Sequence, residues 1–413
     1  MKLWQNSRLW KKSLITVMGC ALILGTFIAI DKNLPKQEPI ELETVNDSPV
    51  QDQQKAPFQV EAKSAILIDA DTGEVLFQQN CHEELPLASV TKVMTMLLVM
   101  EAVDTGKITL EDEVTISERA ASMGGSQMYM EFGEKHTVEE LLMGVAMASA
   151  NDGCVALAEY VAGSEEIFVE RMNEKAKELG MNDSHFVNTN GLPVADHYSS
   201  AYDIAIMSKE LYKHEKTHQW FTTWQSTITV GLPGKEKEFG LTNTNKLIKH
   251  YEGCNGIKTG FTADAGYCLS ASATRGDTHF IAVALGCETS QKRNAEISKL
   301  LDYGFANYET CVIAEKGEVM ETIKVENGTP QTVKAVTDRR ITVLVEKGAG
   351  EGISSKVKLG EKVNLPLKKG EEVAKLAVYN GDEKVGEYPL VAKSAVEKAS
   401  FTELVSRFFK KLF

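Results

Sequence analysis

The alternation of apolar and polar positions divides the chain into five stretches. An apolar run from Ser13 to Ile30 follows a start that carries Lys2, Arg8, Lys11 and Lys12 and no acid. A basic segment before an apolar core is the pattern of an export signal, and this run is long enough to stay as an anchor. Residues 1–30 therefore read as a signal peptide or anchor. Residues 31–57 are rich in Pro, Gln and acids and poor in apolar residues. They cannot bury enough surface to offset ordering entropy, which predicts a disordered spacer. Between 58 and 310 strand and helix patterns alternate. Ser64-Ala65-Ile66-Leu67-Ile68 and Glu74-Val75-Leu76-Phe77 flank Asp71-Thr72-Gly73, a hairpin signal. Val90 to Val103 predicts an apolar helix, Glu139 to Val161 one or two more, and Ala295 to Tyr308 a closing helix. Tyr267–Thr274 and His279–Gly286 predict strands. Strands at both ends with helices between them imply an α+β domain whose antiparallel sheet pairs early strands with late ones.

From 311 to 393 short apolar runs such as Ile341–Val345 and Ala374–Val378 are separated by turn signals, among them Gly348, Gly360, Gly370 and Asn380-Gly381. That pattern predicts a small all-β domain. In residues 394–413, Phe401, Leu404, Val405, Phe408, Phe409 and Leu412 form one helical stripe, with Lys398, Arg407, Lys410 and Lys411 among them. An amphipathic helix of this kind lies in a membrane interface. The competing expectation is a helix docked on the protein's own core.

Composition narrows the function classes. The net charge is −13, which argues against a nucleic-acid partner, whose phosphates require a basic surface. Hydrophobic residues at 43% and charged residues at 25% fit a globular protein rather than a disordered or multi-span one. Cys20 lies in the leader. Cys81, Cys154, Cys254, Cys268, Cys287 and Cys311 match neither a disulfide framework nor a zinc pattern, so free, buried thiols are expected.

Three short motifs carry chemistry. Ser89-Val90-Thr91-Lys92 opens the apolar helix and sets a hydroxyl and an amine one turn apart. A serine hydroxyl needs a base within hydrogen-bond reach, and a lysine serves if burial or neighbouring cations lower its pKa. Backbone N–H groups at such a helix start are also placed to meet an oxyanion. Ser149-Ala150-Asn151 offers a hydroxyl for proton relay and an amide for substrate. Lys258-Thr259-Gly260 offers a cation, a hydroxyl and a flexible glycine along a strand edge. Singly, these read equally well as capping or turn residues. In this order they are the signature of penicillin-recognising serine enzymes. A second Ser-x-x-Lys, Ser355-Lys356-Val357-Lys358, falls in the β-domain and reads as a solvated strand.

Longer runs extend the likeness. Leu85-Pro86-Leu87-Ala88-Ser89, Ser149-Ala150-Asn151-Asp152, Glu178-Leu179-Gly180-Met181, Asn190-Gly191-Leu192 and Gly256-Ile257-Lys258-Thr259-Gly260-Phe261-Thr262 resemble D-alanyl-D-alanine carboxypeptidases. These are low-molecular-mass penicillin-binding proteins, and the likeness is to the type found in spore-forming Gram-positive bacteria. The resemblance covers residues 58–310, and the β-domain and tail follow the same layout. It implies the penicillin-binding, serine β-lactamase-like transpeptidase fold. It also implies removal of the terminal D-alanine from peptidoglycan stem peptides ending in D-Ala-D-Ala, outside the cytoplasmic membrane, with no metal or cofactor. Ser89 would be the nucleophile, Lys92 its base, and Ser149 the relay to the leaving D-alanine. Asn151, Lys258, Thr259, Gly260 and Arg293 would bind substrate, and the backbone N–H groups of Ser89 and Phe261 would form the oxyanion hole. β-Lactams would act as covalent inhibitors at Ser89.

Rival readings rest on particular residues. His214-Glu215-Lys216-Thr217-His218 fits H-E-x-x-H, with Glu236 or Glu238 as a third zinc ligand, but Lys213 and Lys216 crowd it where a helix is ending. A serine β-lactamase needs a further carboxylate for deacylation. Glu178 stands in a carboxypeptidase-like run and reads as a helix-end residue. A non-catalytic penicillin-binding sensor would share all three motifs.

Overall fold

The computed structural model describes residues 58–360 and 363–412. The leader, the spacer and Cys20 lie outside the described residues. A five-stranded antiparallel sheet organises the first domain. In chain order its strands are β1 (Ser64–Asp69), β2 (Val75–Gln79), β3 (Cys254–Thr262), β4 (Gly266–Arg275) and β5 (Thr278–Cys287), arranged β2-β1-β5-β4-β3. The expected pairing of early with late strands is present, since Ile66 lies opposite Val283 and Ile68 opposite Ile281. The first hairpin closes where Asp69 accepts from the backbone N–H and hydroxyl of Thr72, with Gly73 at φ +84°.

Alternation along the strands feeds two cores. Ile66, Ile68, Ile281, Val283 and Leu285 face a helical lobe, while Ala65, Leu67, Phe280, Ala282 and Ala284 face the closing helix Ser290–Asn307 through Ile297, Leu300, Leu301 and Phe305. At the centre of the lobe runs α1 (Lys92–Asp104), apolar around most of its surface and therefore largely buried. The segment expected to give one or two helices around 139–161 forms Val138–Met143, a π-turn at Gly144–Ala148, and α2 (Asn151–Ala162).

The second domain is all β. Its main sheet runs in the order Val319–Lys324, Thr332–Thr337, Glu383–Ala392, Glu372–Asn380, Ile353–Leu359, and Tyr308–Ala314 pairs with Ile341–Glu346. Residues 308–310 thus already pair within this domain, and Glu397–Lys398 pairs with Gly328–Thr329, so the domain extends past both expected limits of 311 and 393. Ser355 and Lys356 sit exposed on Ile353–Leu359. Arg340 ties the domains together through Asp277 and Asp71. The terminal helix, α3 (Phe401–Leu412), is present. Cys81, Cys154, Cys254, Cys268 and Cys287 are free and buried, as expected, whereas Cys311 is half-buried on a strand of the second domain.

Candidate active site

Ser89 lies in a 3-10 turn, Ala88–Thr91, that leads directly into α1, so the serine sits at the start of a largely buried helix of the lobe. Ala88 enters that turn at φ +47°, a left-handed conformation that costs a non-glycine residue about 1–3 kcal/mol. Lys92 is the first residue of α1 and is completely buried. Its Nζ is 3.0 Å from Ser89 Oγ and donates to the Asn190 carbonyl at 2.6 Å. Loss of hydration pushes the Lys92 pKa down to about 8, against a partial upward pull from Cys154 and Asp152. A serine and a partly neutral amine in contact are the components of an activated nucleophile.

The second motif ends the π-turn. Ser149 is left-handed at φ +64° and is buried. Its Oγ and Asn151 Oδ1 are both enclosed and without hydrogen-bond partners, while Asn151 Nδ2 donates to the Gly124 carbonyl at 2.7 Å. Both atoms are therefore free to form a hydrogen bond with a group brought into the cleft. Asp152 anchors the facing loop. Its buried carboxylate accepts from the N–H of Met128 at 2.9 Å and from that of Gly153 at 2.9 Å.

The third motif lies on β3, the edge strand, where the ladder is open to a peptide. Gly260 passes so close to the serine turn that a Cβ there would stand 2.8 Å from the Leu87 carbonyl oxygen and 3.1 Å from Ser89 N. This brings the Gly260-Phe261 backbone beside Ser89. Lys258 is buried, and desolvation, then the positive charges of Lys92 and Arg293, hold its pKa well below the usual lysine range. Thr259 donates its hydroxyl proton to Thr244 Oγ1 at 2.7 Å, and Thr244 N–H in turn donates to the carbonyl of Met147 in the π-turn. The two walls of the cleft are thereby joined. Arg293, in the first turn of Ser290–Asn307, is 5% exposed and donates to Asn294 Oδ1. It is enclosed within the field of Lys258 rather than solvated. Phe261 is 55% exposed and packs on Tyr267.

The rival motifs are dispersed. The helix Ala201–Tyr212 stops before His214, which pairs with Asp104 at 2.7 Å, while His218 bonds the Tyr212 carbonyl and stacks on its ring. Among the described residues no group of three or more His, Cys, Asp or Glu is placed to hold a metal ion. Glu178 ends the helix Glu165–Glu178, exposed and paired with Lys175.

Other contributors carry no assignable role in the sequence. Asn190 acts through its backbone carbonyl, and Gly191, at φ +82°, approaches the Ala88 carbonyl so closely that no Cβ fits. Asp152 was detectable as an acid inside the apolar run that ends at Ala158. Thr244 carries no local signal.

A family described as D-alanyl-D-alanine carboxypeptidase matches residues 50–289, and one described as penicillin-binding protein 5, C-terminal domain, matches residues 308–398. The Bacillus subtilis D-alanyl-D-alanine carboxypeptidase DacF is 45% identical over 348 residues, covering 84% of this chain and 89% of its own length. Escherichia coli DacD, of the same description, is 31% identical over 86% of this chain and 91% of its own. Among solved structures, penicillin-binding protein 5 from Haemophilus influenzae superposes with a TM-score of 0.67 at 30% identity, covering 83% of this chain and 99% of that one.

Proposed function

This chain belongs to the D-alanyl-D-alanine carboxypeptidase family and is a serine DD-carboxypeptidase of the low-molecular-mass penicillin-binding type, and we propose that Ser89 is its nucleophile, acting on peptidoglycan stem peptides that end in D-Ala-D-Ala. The observation that carries the assignment is the contact between Ser89 Oγ and the buried, pKa-depressed Nζ of Lys92.

In the first step neutral Lys92 takes the Ser89 proton as Oγ bonds to the carbonyl carbon between the two D-alanines. The oxyanion is received by the N–H groups of Ser89 and Phe261, a reading supported by the close approach of Gly260, the neighbour of Phe261, to Ser89 N. Thr259 hydrogen-bonds the terminal carboxylate with Arg293 beside it, Lys258 supplies positive potential, and Asn151 pairs with the substrate backbone. As the C–N bond breaks, Ser149 gives its proton to the leaving amine of D-alanine and is reprotonated by the Lys92 ammonium, which becomes a neutral amine again. Water then attacks the Ser89 ester. Lys92 takes its proton and returns it to Ser89 Oγ as the ester C–O bond breaks, which frees the shortened peptide and restores the starting serine and amine. A β-lactam follows the first step and remains as the ester.

Export and membrane attachment complete the reading. The basic and apolar segment at residues 1–30 supports passage to the outer face of the cytoplasmic membrane. No helix among the described residues is long and apolar enough to cross a membrane, so attachment through α3 would be to the surface.

The deciding experiment is D-alanine release from a peptide ending in Lys-D-Ala-D-Ala, by protein beginning at residue 58, with and without prior penicillin. Release that penicillin abolishes, with both release and labelling lost in Ser89→Ala, is the expected result. Labelling retained in Ser89→Ala would overturn the assignment.

A further inference from the structure

A chain of hydrogen bonds reaches the nucleophile's turn from a residue outside all three motifs. His197 is buried, 7% exposed, behind the serine. Its Nδ1 receives the backbone N–H of Val187 at 3.0 Å, so Nδ1 is the bare nitrogen and Nε2 carries the proton. Nε2 is 2.8 Å from Thr91 Oγ1, and Thr91 Oγ1 is 2.8 Å from the Ala88 carbonyl oxygen. The donor inventory leaves one direction for this chain. His197 Nε2–H donates to Thr91 Oγ1, and the Thr91 hydroxyl donates to Ala88 O. Burial drives the His197 pKa down to about 4, which keeps the ring neutral and in this tautomer at physiological pH.

The carbonyl at the end of the chain belongs to a particular peptide group. Ala88 C=O and Ser89 N–H are the two ends of one planar unit, and Ser89 N–H is one of the two donors assigned to the oxyanion. Ala88 holds this unit in a strained left-handed turn, which persists where the surroundings over-determine it. Gly191 closes the remaining side by packing against the same carbonyl.

We infer that His197 and Thr91 are positioning residues for the oxyanion hole: through Ala88 O they orient and polarise the Ala88–Ser89 peptide, whose N–H stabilises the tetrahedral intermediate. The orientation follows from fixing a planar group at its opposite end. The polarisation follows from the cooperative strengthening of hydrogen bonds in a chain. The inference rests on Ser89 being the nucleophile, and adds which residues set the geometry of its amide.

The test compares Thr91→Val, which keeps the shape and removes the relay, with Thr91→Ser and His197→Gln, which keep a hydroxyl and a donor–acceptor pair. Two quantities are read on folded protein: the second-order rate of acylation by penicillin, and the infrared stretch of the ester carbonyl in the penicilloyl enzyme. An oxyanion-hole hydrogen bond lowers that stretch, and a packing defect alone does not move it. Thr91→Val is expected to acylate about 10- to 100-fold more slowly, with the ester band displaced to higher frequency and KM for the peptide little changed. Thr91→Ser and His197→Gln are expected to stay within about threefold of wild type, a small fraction of the loss of an oxyanion-hole donor. Wild-type acylation with an unmoved band in Thr91→Val overturns the inference, as does an equal loss in Thr91→Ser. Should Thr91→Val not fold, His197→Leu takes its place, with slowed acylation and a displaced band expected and wild-type behaviour overturning the inference. Absence of a Ser89 ester in the wild-type protein would sink the assignment of the nucleophile. A normal wild-type ester with unshifted variants sinks only the inference.

Discussion

Lys92 can serve as a base because it begins α1 at a position that is completely buried. An exposed lysine at the same spacing from Ser89 would stay protonated near its ordinary pKa and could only donate to the hydroxyl. Enclosure costs the ammonium its hydration, and the Asn190 carbonyl keeps the amine aimed at the serine. Because the Lys92 pKa is lowered to about 8 and the active form is the neutral one, acylation rises as pH increases through that value. Below it, kcat/KM is expected to fall by about tenfold per pH unit, the behaviour of a single required base. A pH profile of penicillin acylation under single-turnover conditions checks this. A flat profile between about pH 6 and 9 would remove Lys92 from the role. A second residue-scale expectation concerns Gly191. Alanine there needs a left-handed backbone at φ +82° and a Cβ inside the Ala88 carbonyl. Gly191→Ala should lose about 1–3 kcal/mol from strain alone. Displacement of the serine turn should also slow acylation, read by denaturation and by penicillin labelling together.

At the scale of elements, the sequence was most legible where burial is continuous or strictly alternating. α1 and the strands β1, β4 and β5 follow from runs of apolar residues. Edge strand β3 was recognisable from its Lys-Thr-Gly motif more than from hydrophobic pattern. The π-turn at Gly144–Ala148 left no trace in the pattern, because its residues are as apolar as the helices on either side. Yet that turn is what places Ser149 in a left-handed conformation with an unpaired hydroxyl. The chain from His197 to Ala88 was equally illegible, since it links residues more than a hundred positions apart. Asp152 illustrates how one element positions another. From the first turn of α2 it holds the N–H of Met128, fixing the loop that faces Asn151, and accepts from the N–H of Gly153 within its own turn. Asp152→Ala strands these buried donors at about 1–3 kcal/mol for each group left unsatisfied. The variant is expected to melt several degrees lower and to bind the peptide substrate more weakly through the loosened loop. A melting curve and a KM measurement check the two effects, and an unchanged KM would confine Asp152 to a structural role.

For the whole molecule, the question is which way the terminal helix turns its two faces. The sequence left open whether the aromatic stripe of α3 is docked on the protein or free. In the folded chain the polar side makes the docking contact. Arg407 donates to the Gly328 carbonyl at 2.8 Å and to Thr329 Oγ1 at 2.9 Å, and Glu403 accepts from Thr329. Phe401 is 80% exposed, Phe408 62% and Phe409 55%. Rings on a short helix held by its polar face are free to enter a headgroup layer, and Lys398 and Lys410 add attraction to anionic lipid. Each phenylalanine buried there contributes about 1.5–3 kcal/mol before the cost of ordering. Replacing Phe401, Phe408 and Phe409 with serine should therefore lower affinity for phosphatidylglycerol-containing vesicles by well over tenfold. D-Alanine release from a soluble peptide should be unaffected, because none of these residues touches the cleft. The measurement belongs on protein beginning at residue 58, since an uncleaved leader would hold the chain at the membrane by itself. Vesicle binding that survives the triple substitution would assign attachment to another surface and leave α3 as a structural cap on the β-domain.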